Sequence, residues 1–261
     1  MLNRKFFVAS FNYHFRCYFK YRTNVIFSFF SELAIPLTIN ILFIIGLTNS
    51  SANTRQIIDV ISYIIIANIT YTISVTNLES SISSDIRNSN LIYKLLEPVP
   101  PCANYIVSDF SVKVVRILIF YLPGVFLLGI LGQIHYTKFL YAVPFIVIAN
   151  ITGYCLSFII GCLAFWLTEI WGISAVKDLL LAVFAGTIFP LSFLSEKVQE
   201  LLLMTPFPYL SYIPSAVILG EIEIHDMLSL LCVGVIWCIV LANLAMVIWT
   251  RGKKKYESVG V

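Results

Sequence analysis

The sequence predicts an all-α integral membrane protein of six transmembrane helices with an amphipathic helix at its amino end, and three observations carry that expectation. Hydrophobic residues make up 59% of the 261 residues and charged residues only 12%, with a mean hydropathy of +0.90, well outside the range of a soluble domain. Apolar runs recur at the length of about 20 residues that a helix needs to cross the hydrocarbon core. One apolar stretch, GTIFPLSFLSEKVQELLLMTPFPYLSYIPSAVILG at 186–220, is broken by four prolines, too greasy for a solvent loop and too interrupted for a spanning helix. Irregular backbone at membrane depth persists only where it is buried in protein or lines a polar cavity, so this stretch implies a conduit rather than a simple anchor.

The elements follow in order. In residues 4–22, Phe7, Phe11, Phe15, Tyr18, Phe19 and Arg22 recur at helical spacing while Lys5, Asn12, Arg16 and Lys20 share another face. That pattern predicts a helix lying in the membrane interface, whose polar face serves either a cytoplasmic partner or the lipid surface alone. Spans are expected at 25–48, 57–78, 110–132, 139–167, 172–194 and 227–249. The second is unusually polar, with Asn68, Thr70, Tyr71, Thr72, Thr76 and Asn77 lining a path or bonding between helices. Lys113 and Arg116, and Lys177 and Asp178, fall near the starts of the third and fifth spans, where they can snorkel to the interface if those starts are cytoplasmic ends.

Between the second and third spans lies SSISSDIRNSNLIYKLLEPVPP, residues 80–101. Ser84 or Asp85 is the expected cap of a short helix running to about Leu96, stopped by Pro98, Pro100 and Pro101. Ile82, Ile86, Leu91 and Leu95 would face the bundle and leave Asp85, Arg87, Asn88 and Lys94 exposed; an ordinary capped loop is the alternative. Ala149, Gly153, Ser157 and Gly161 in the fourth span, and Gly234, Cys238 and Ala242 in the sixth, form small-residue stripes that let another helix approach closely.

Charge orients the bundle. With the amino end inside, only Arg55, Lys138 and Lys197 of the 17 basic residues fall outside, which predicts a multi-pass cell-membrane protein with both termini in the cytoplasm. The net charge of +3 reflects this topology, and no nucleic-acid partner is expected. No cleavable signal peptide is evident. The six cysteines and three histidines show no metal spacing, and the cysteines read as packing residues. Glu32 is the carboxylate well inside the first apolar run and Glu169 lies near the inner end of the fourth span; both are interfacial in the simplest reading and proton-relay or ion-pair groups if buried. No phosphate loop, nucleophile elbow or H-E-x-x-H pair occurs, so no cofactor is expected in this chain and any pumping energy must come from another one.

Three phrases carry a resemblance: NLIYKLLEPVPPCANYI after the second span, LAFWLTEIWGI at the end of the fourth, and AGTIFPLSFLSEKVQELLLMTPFPYLSYIPSAVILGE after the fifth. In order and placement they resemble the permease subunits of ATP-binding-cassette (ABC) transporters of the type-2 exporter class, in particular six-span bacterial proteins, over nearly the whole chain. The resemblance implies a second permease subunit, identical or similar, and two cytoplasmic ABC ATPase subunits that bind ATP and Mg. It makes residues 1–24 a connecting helix, 25–251 the transmembrane domain and 252–261 a cytoplasmic tail. It places a coupling helix within 82–96 and short external re-entrant helices at about 190–221. Asp85, Ile86, Arg87, Asn88, Leu91 and Lys94, with Arg16 and Lys20, are then the expected ATPase-coupling residues; Asn68, Tyr71, Thr72, Phe165, Phe189, Pro190 and Leu194 are expected to line or gate a path. Where many relatives carry a proline after the fifth span, this chain has Ser195 before Glu196. An intramembrane enzyme built on Glu32, Glu169 and the external acidic residues, and a structural or sensory subunit, are the competing readings. No residue pattern selects a substrate.

Overall fold

The computed structural model describes residues 4–20, 54–97, 99–118 and 136–258, with Thr38, Leu42, Ile45, Gly46, Phe126 and Gly129 as single helical positions. Glu32, Arg22, most of the first span, the rest of the third and the side chains of Lys5, Phe7, Tyr18 and Phe19 lie outside the described residues. Every regular element among those described is helical. Among the described residues, three stretches, Ile58–Arg87, Lys138–Phe165 and Ile224–Tyr256, are long and apolar enough to cross a membrane; they correspond to the second, fourth and sixth expected spans.

Helix α1 is Arg4–Lys20 and α2 is Thr54–Ser74. After a three-residue break come α3, Leu78–Arg87, and α4, Leu91–Leu96. Helix α5 is Pro101–Arg116, and α6 is Tyr136–Cys162, closing in a 3-10 turn at Leu163–Phe165. Helix α7 is Trp171–Phe184. The proline-broken segment then folds as a 3-10 turn at Leu191–Phe193, α8 at Glu196–Leu203, a 3-10 turn at Pro208–Leu210 and α9 at Tyr212–Leu219. Helix α10 runs from Ile224 to Ser258.

Helix α6 is the hub, packed against α10, α3, α9 and α2, and its small residues explain why. A Cβ at Gly153 would overlap the Ser74 carbonyl oxygen, and one at Gly161 would stand 2.9 Å from Ile82 Cβ and 3.0 Å from Glu79 Cα. On α10, a Cβ at Gly234 would meet the Tyr209 ring at 2.7 Å. Both small-residue stripes are therefore used inside the chain. Close approach divides the apolar core between two ends. Tyr63, Ala67, Phe145, Tyr209, Ile213, Ala216 and Val217 bury the proline-rich end, and Ile82, Ile86, Leu91, Tyr105, Cys162 and Phe165 bury the other.

Five boundaries differ from expectation. Helix α3 begins at Leu78, not at Ser84 or Asp85, so both residues lie inside it; Glu79 in its first turn suits the positive end of the helix dipole. The expected single helix over 82–96 is two, because Ser89 takes a left-handed φ of 59° that no helix can carry through. Pro101 opens α5 at its first turn rather than ending what precedes it, as its missing N–H permits. The fifth span is not continuous to 194: α7 stops at Phe184, and Gly186 with φ 78° turns the chain. Its 14 residues rise about 21 Å, short of the ~30 Å hydrocarbon core. At the other extreme, α10 passes 251 without a break and makes most of the expected tail helical.

Candidate functional site

The α3–α4 hairpin forms a braced unit at the end of the molecule opposite the prolines. Ile82, Ile86 and Leu91 are buried, with Leu95 packed beside them. Arg87 and Asn88 are exposed. Asp85 and Lys94 are not freely exposed as expected; they are partly buried because they pair across the turn at 2.5 Å. The Tyr105 hydroxyl of α5 donates to the same Asp85 Oδ2 at 2.5 Å, and the Lys94 ammonium lies 4.2 Å from the Tyr105 ring centroid. Burial foremost, then the hydrogen bond to Asp85 and its charge, hold the Tyr105 phenol well above its usual pKa, so it remains a donor. One carboxylate thus ties α3, α4 and α5 together.

A second brace runs to the α6–α7 connection, where Arg87 Nη1 meets Glu169 Oε2 at 2.7 Å and donates to the Thr168 carbonyl at 3.3 Å. Both partners are largely solvated, so this contact orients more than it stabilises. Helix α1 packs against α5; within α1 the rings of Phe11 and Phe15 stack on each other with centroids 6.0 Å apart, and Arg16 and Lys20 are exposed.

Above the hairpin, the break between α2 and α3 gathers polar groups. The Thr76 carbonyl, released from helical bonding, accepts the Ser157 hydroxyl at 2.5 Å and the Lys177 ammonium at 3.4 Å. Lys177 also pairs with Glu79, and their side chains are only 6% and 3% exposed. The snorkelling expected of Lys177 does not occur, because a buried carboxylate waits for it. Lys113 is buried too, held by Asp109 at 3.1 Å and lying 4.6 Å from the Tyr154 ring centroid. Beside this break a cavity of about 370 Å³ is lined by Tyr71, Thr72, Thr76, Asn77, Asp109 and Asp178, among others.

The residues expected on a path are therefore divided. Tyr71 and Thr72 line the cavity. Asn68 is half-buried and donates to the Ile64 carbonyl of its own helix at 2.8 Å. Phe165 is elsewhere, packed against Trp249 and Tyr256 with ring centroids 5.8 and 5.9 Å away, against Gly252, where any Cβ would strike its ring. Phe189, Pro190 and Leu194 belong to the proline-rich end, where Pro190 is buried and Leu194 packs on the core. There the broken backbone is satisfied by protein: Ser211 Oγ donates to the Ala67 carbonyl at 2.8 Å, Thr70 and Ser215 hydroxyls meet at 2.8 Å, and Tyr63 donates to the Gly186 carbonyl at 2.7 Å. Of the two ways to shelter irregular backbone in a membrane, burial is the one used over 208–218, while Phe193, Val198, Leu201 and Met204 are exposed.

Glu79, Tyr105, Asp109 and Glu169 are the partners that reading the sequence for coupling and path residues missed. Tyr105 and Asp109 share the interrupted polar stretch before the third span, and an apolar-run search passes over them. Glu79 carried one signal, a carboxylate at the boundary of an apolar run and a serine-rich loop. A family model described as ABC-2 family transporter protein matches residues 28–260 of this chain. No curated protein matches it.

Proposed function

Because this chain belongs to the ABC-2 transporter family, we propose that it is the transmembrane permease subunit of an ATP-driven exporter in the cell membrane. Two such subunits, identical or similar, pair with two ABC ATPase subunits that bind ATP and Mg, and both termini of this chain face the cytoplasm. The observation that carries the reading is the braced α3–α4 hairpin. Its exposed Arg87 and Asn88 lie on a rigid unit that three helices share through Asp85, at the end opposite the proline segment. A rigid projection joined to the bundle passes force inward, whereas a loose loop absorbs it.

In this mechanism closure of the ATPase pair displaces α3–α4, with Arg16 and Lys20 of α1 contributing to the contact. The first, second and fifth spans shift against the paired subunit. The cavity beside Tyr71 and Thr72 receives substrate from the inner side, and the segment containing Phe189, Pro190 and Leu194 yields to release it outward. Export requires that substrate affinity fall in the outward state, since a ligand shifts such an equilibrium only through differential affinity. Purification of the tagged chain in mild detergent tests the assembly: an ATPase chain is expected to copurify in equal amount. Arg87→Glu together with Asn88→Asp is expected to lower that yield at least fivefold. Recovery of the unsubstituted chain without any nucleotide-binding partner would overturn the proposal.

A further inference from the structure

The Glu79–Lys177 pair stands at a junction that the mechanism above leaves without a part. Glu79 lies in the first turn of α3, the helix whose other end carries Asp85 and Arg87. Lys177 lies on α7, which makes no extended packing contact with any other described helix. Leu181 and Ala185 anchor the far end of α7 against Leu210 and Tyr71, while Val176, Leu179 and Leu180 are exposed. Midway along it, the buried Lys177 ammonium ties α7 to α3 and to the Thr76 carbonyl, with Asp178 Oδ1 at 3.2 Å as its third oxygen.

We infer that this ion pair is the joint that transmits displacement of the α3–α4 hairpin to α7. The inference rests on the exporter reading and adds two positioning residues to it. Pulling the partners apart would strand a buried charge, which is far more costly than moving both together, so α7 follows α3. The joint can also pivot. Glu79 Oε2 and Thr76 Oγ1 are buried without a hydrogen-bond partner among the described residues, so the ammonium has further acceptors to turn to as the helices rotate. Because Asp178 and Thr76 line the cavity, motion of the joint changes the shape of that cavity directly.

Hydrogen exchange of the copurified complex in lipid nanodiscs, with and without ATP and vanadate, tests this. In the unsubstituted complex, ATP is expected to change exchange in both 78–96 and 171–184. The double variant Glu79→Met with Lys177→Met removes the charges at similar volume and is expected to keep its thermal stability and the response of 78–96, while the response of 171–184 falls at least fivefold. The exchanged pair Glu79→Lys with Lys177→Glu is expected to restore it, and serves equally if the methionine variant does not fold. A full α7 response in the methionine variant, or none in a folded exchanged pair, would overturn the joint and leave the exporter reading intact. No response in 78–96 of the unsubstituted complex would overturn both.

Discussion

Gly161 shows how one missing side chain sets the geometry of this bundle. The atoms a Cβ would meet include the Glu79 Cα, which is backbone and cannot rotate away, so Gly161→Ala should cost about 1–3 kcal/mol through overpacking. Gly172 on α7 has nothing within 4 Å and supplies the control. Thermal unfolding in one detergent should show Gly161→Ala clearly less stable than the parent and Gly172→Ala close to it; equal melting of the two variants would contradict the packing described. Tyr105→Phe removes one donor to Asp85 while Lys94 remains, and should cost about 1 kcal/mol in the same measurement. Among single residues, the small stripe was legible because four-residue spacing is a property of the helix alone. Glu79 was not, since its partner lies 98 positions away and neither residue advertises the other.

At the scale of elements, the hairpin and the proline segment make the contrast. The apolar positions Ile82, Ile86 and Leu91 were readable from their spacing, and all three are buried. The division into α3 and α4 was not, because Ser89 gives no warning of a left-handed φ in the way that a glycine would. Replacing it tests the turn: Ser89→Gly should tighten the hairpin, while Ser89→Val, disfavoured by about 1–2 kcal/mol in that conformation, should open it. Limited trypsin digestion reads the difference, with cleavage after Arg87 and Lys94 slower in the glycine variant and faster in the valine variant. For the proline segment, the irregular backbone was legible and its partners were not. Thr70 is bonded to both its own helix and α9, so Thr70→Val should loosen α9 and raise hydrogen exchange in 212–219. Unchanged exchange there would mean that apolar packing of Ile213 and Val217 suffices.

At the scale of the whole molecule, the two larger core clusters mark two ends, and the orientation of those ends is the testable quantity. If the basic residues orient the chain as expected, Lys197→Cys should react with a membrane-impermeant maleimide in intact cells, and Asn88→Cys only after permeabilisation, each in a background with the six native cysteines replaced. The reverse pattern would invert the topology and place the hairpin where no cytoplasmic ATPase reaches it. The Arg87–Glu169 contact, which joins the hairpin to the α6–α7 connection, should contribute little to stability because it is solvated. Arg87→Ala is therefore expected to change the unfolding free energy of the isolated chain by no more than about 0.5 kcal/mol while weakening ATPase copurification.

By itself the sequence determined that this is a helical membrane protein, where its second, fourth and sixth long helices lie, which faces are small enough to pack, and which family it joins. These are local properties, written in hydropathy and in spacings of three or four residues that any helix obeys. Tertiary structure alone decided that the 208–218 part of the proline segment is buried on α2 and α6, that α7 ends ten residues early, that Phe165 packs on Gly252, and that Lys177 turns inward to Glu79. Each of those outcomes depends on a carbonyl, a charge or a gap supplied by a distant part of the chain. A buried polar group takes whichever partner the fold brings within reach, and no local pattern names that partner beforehand.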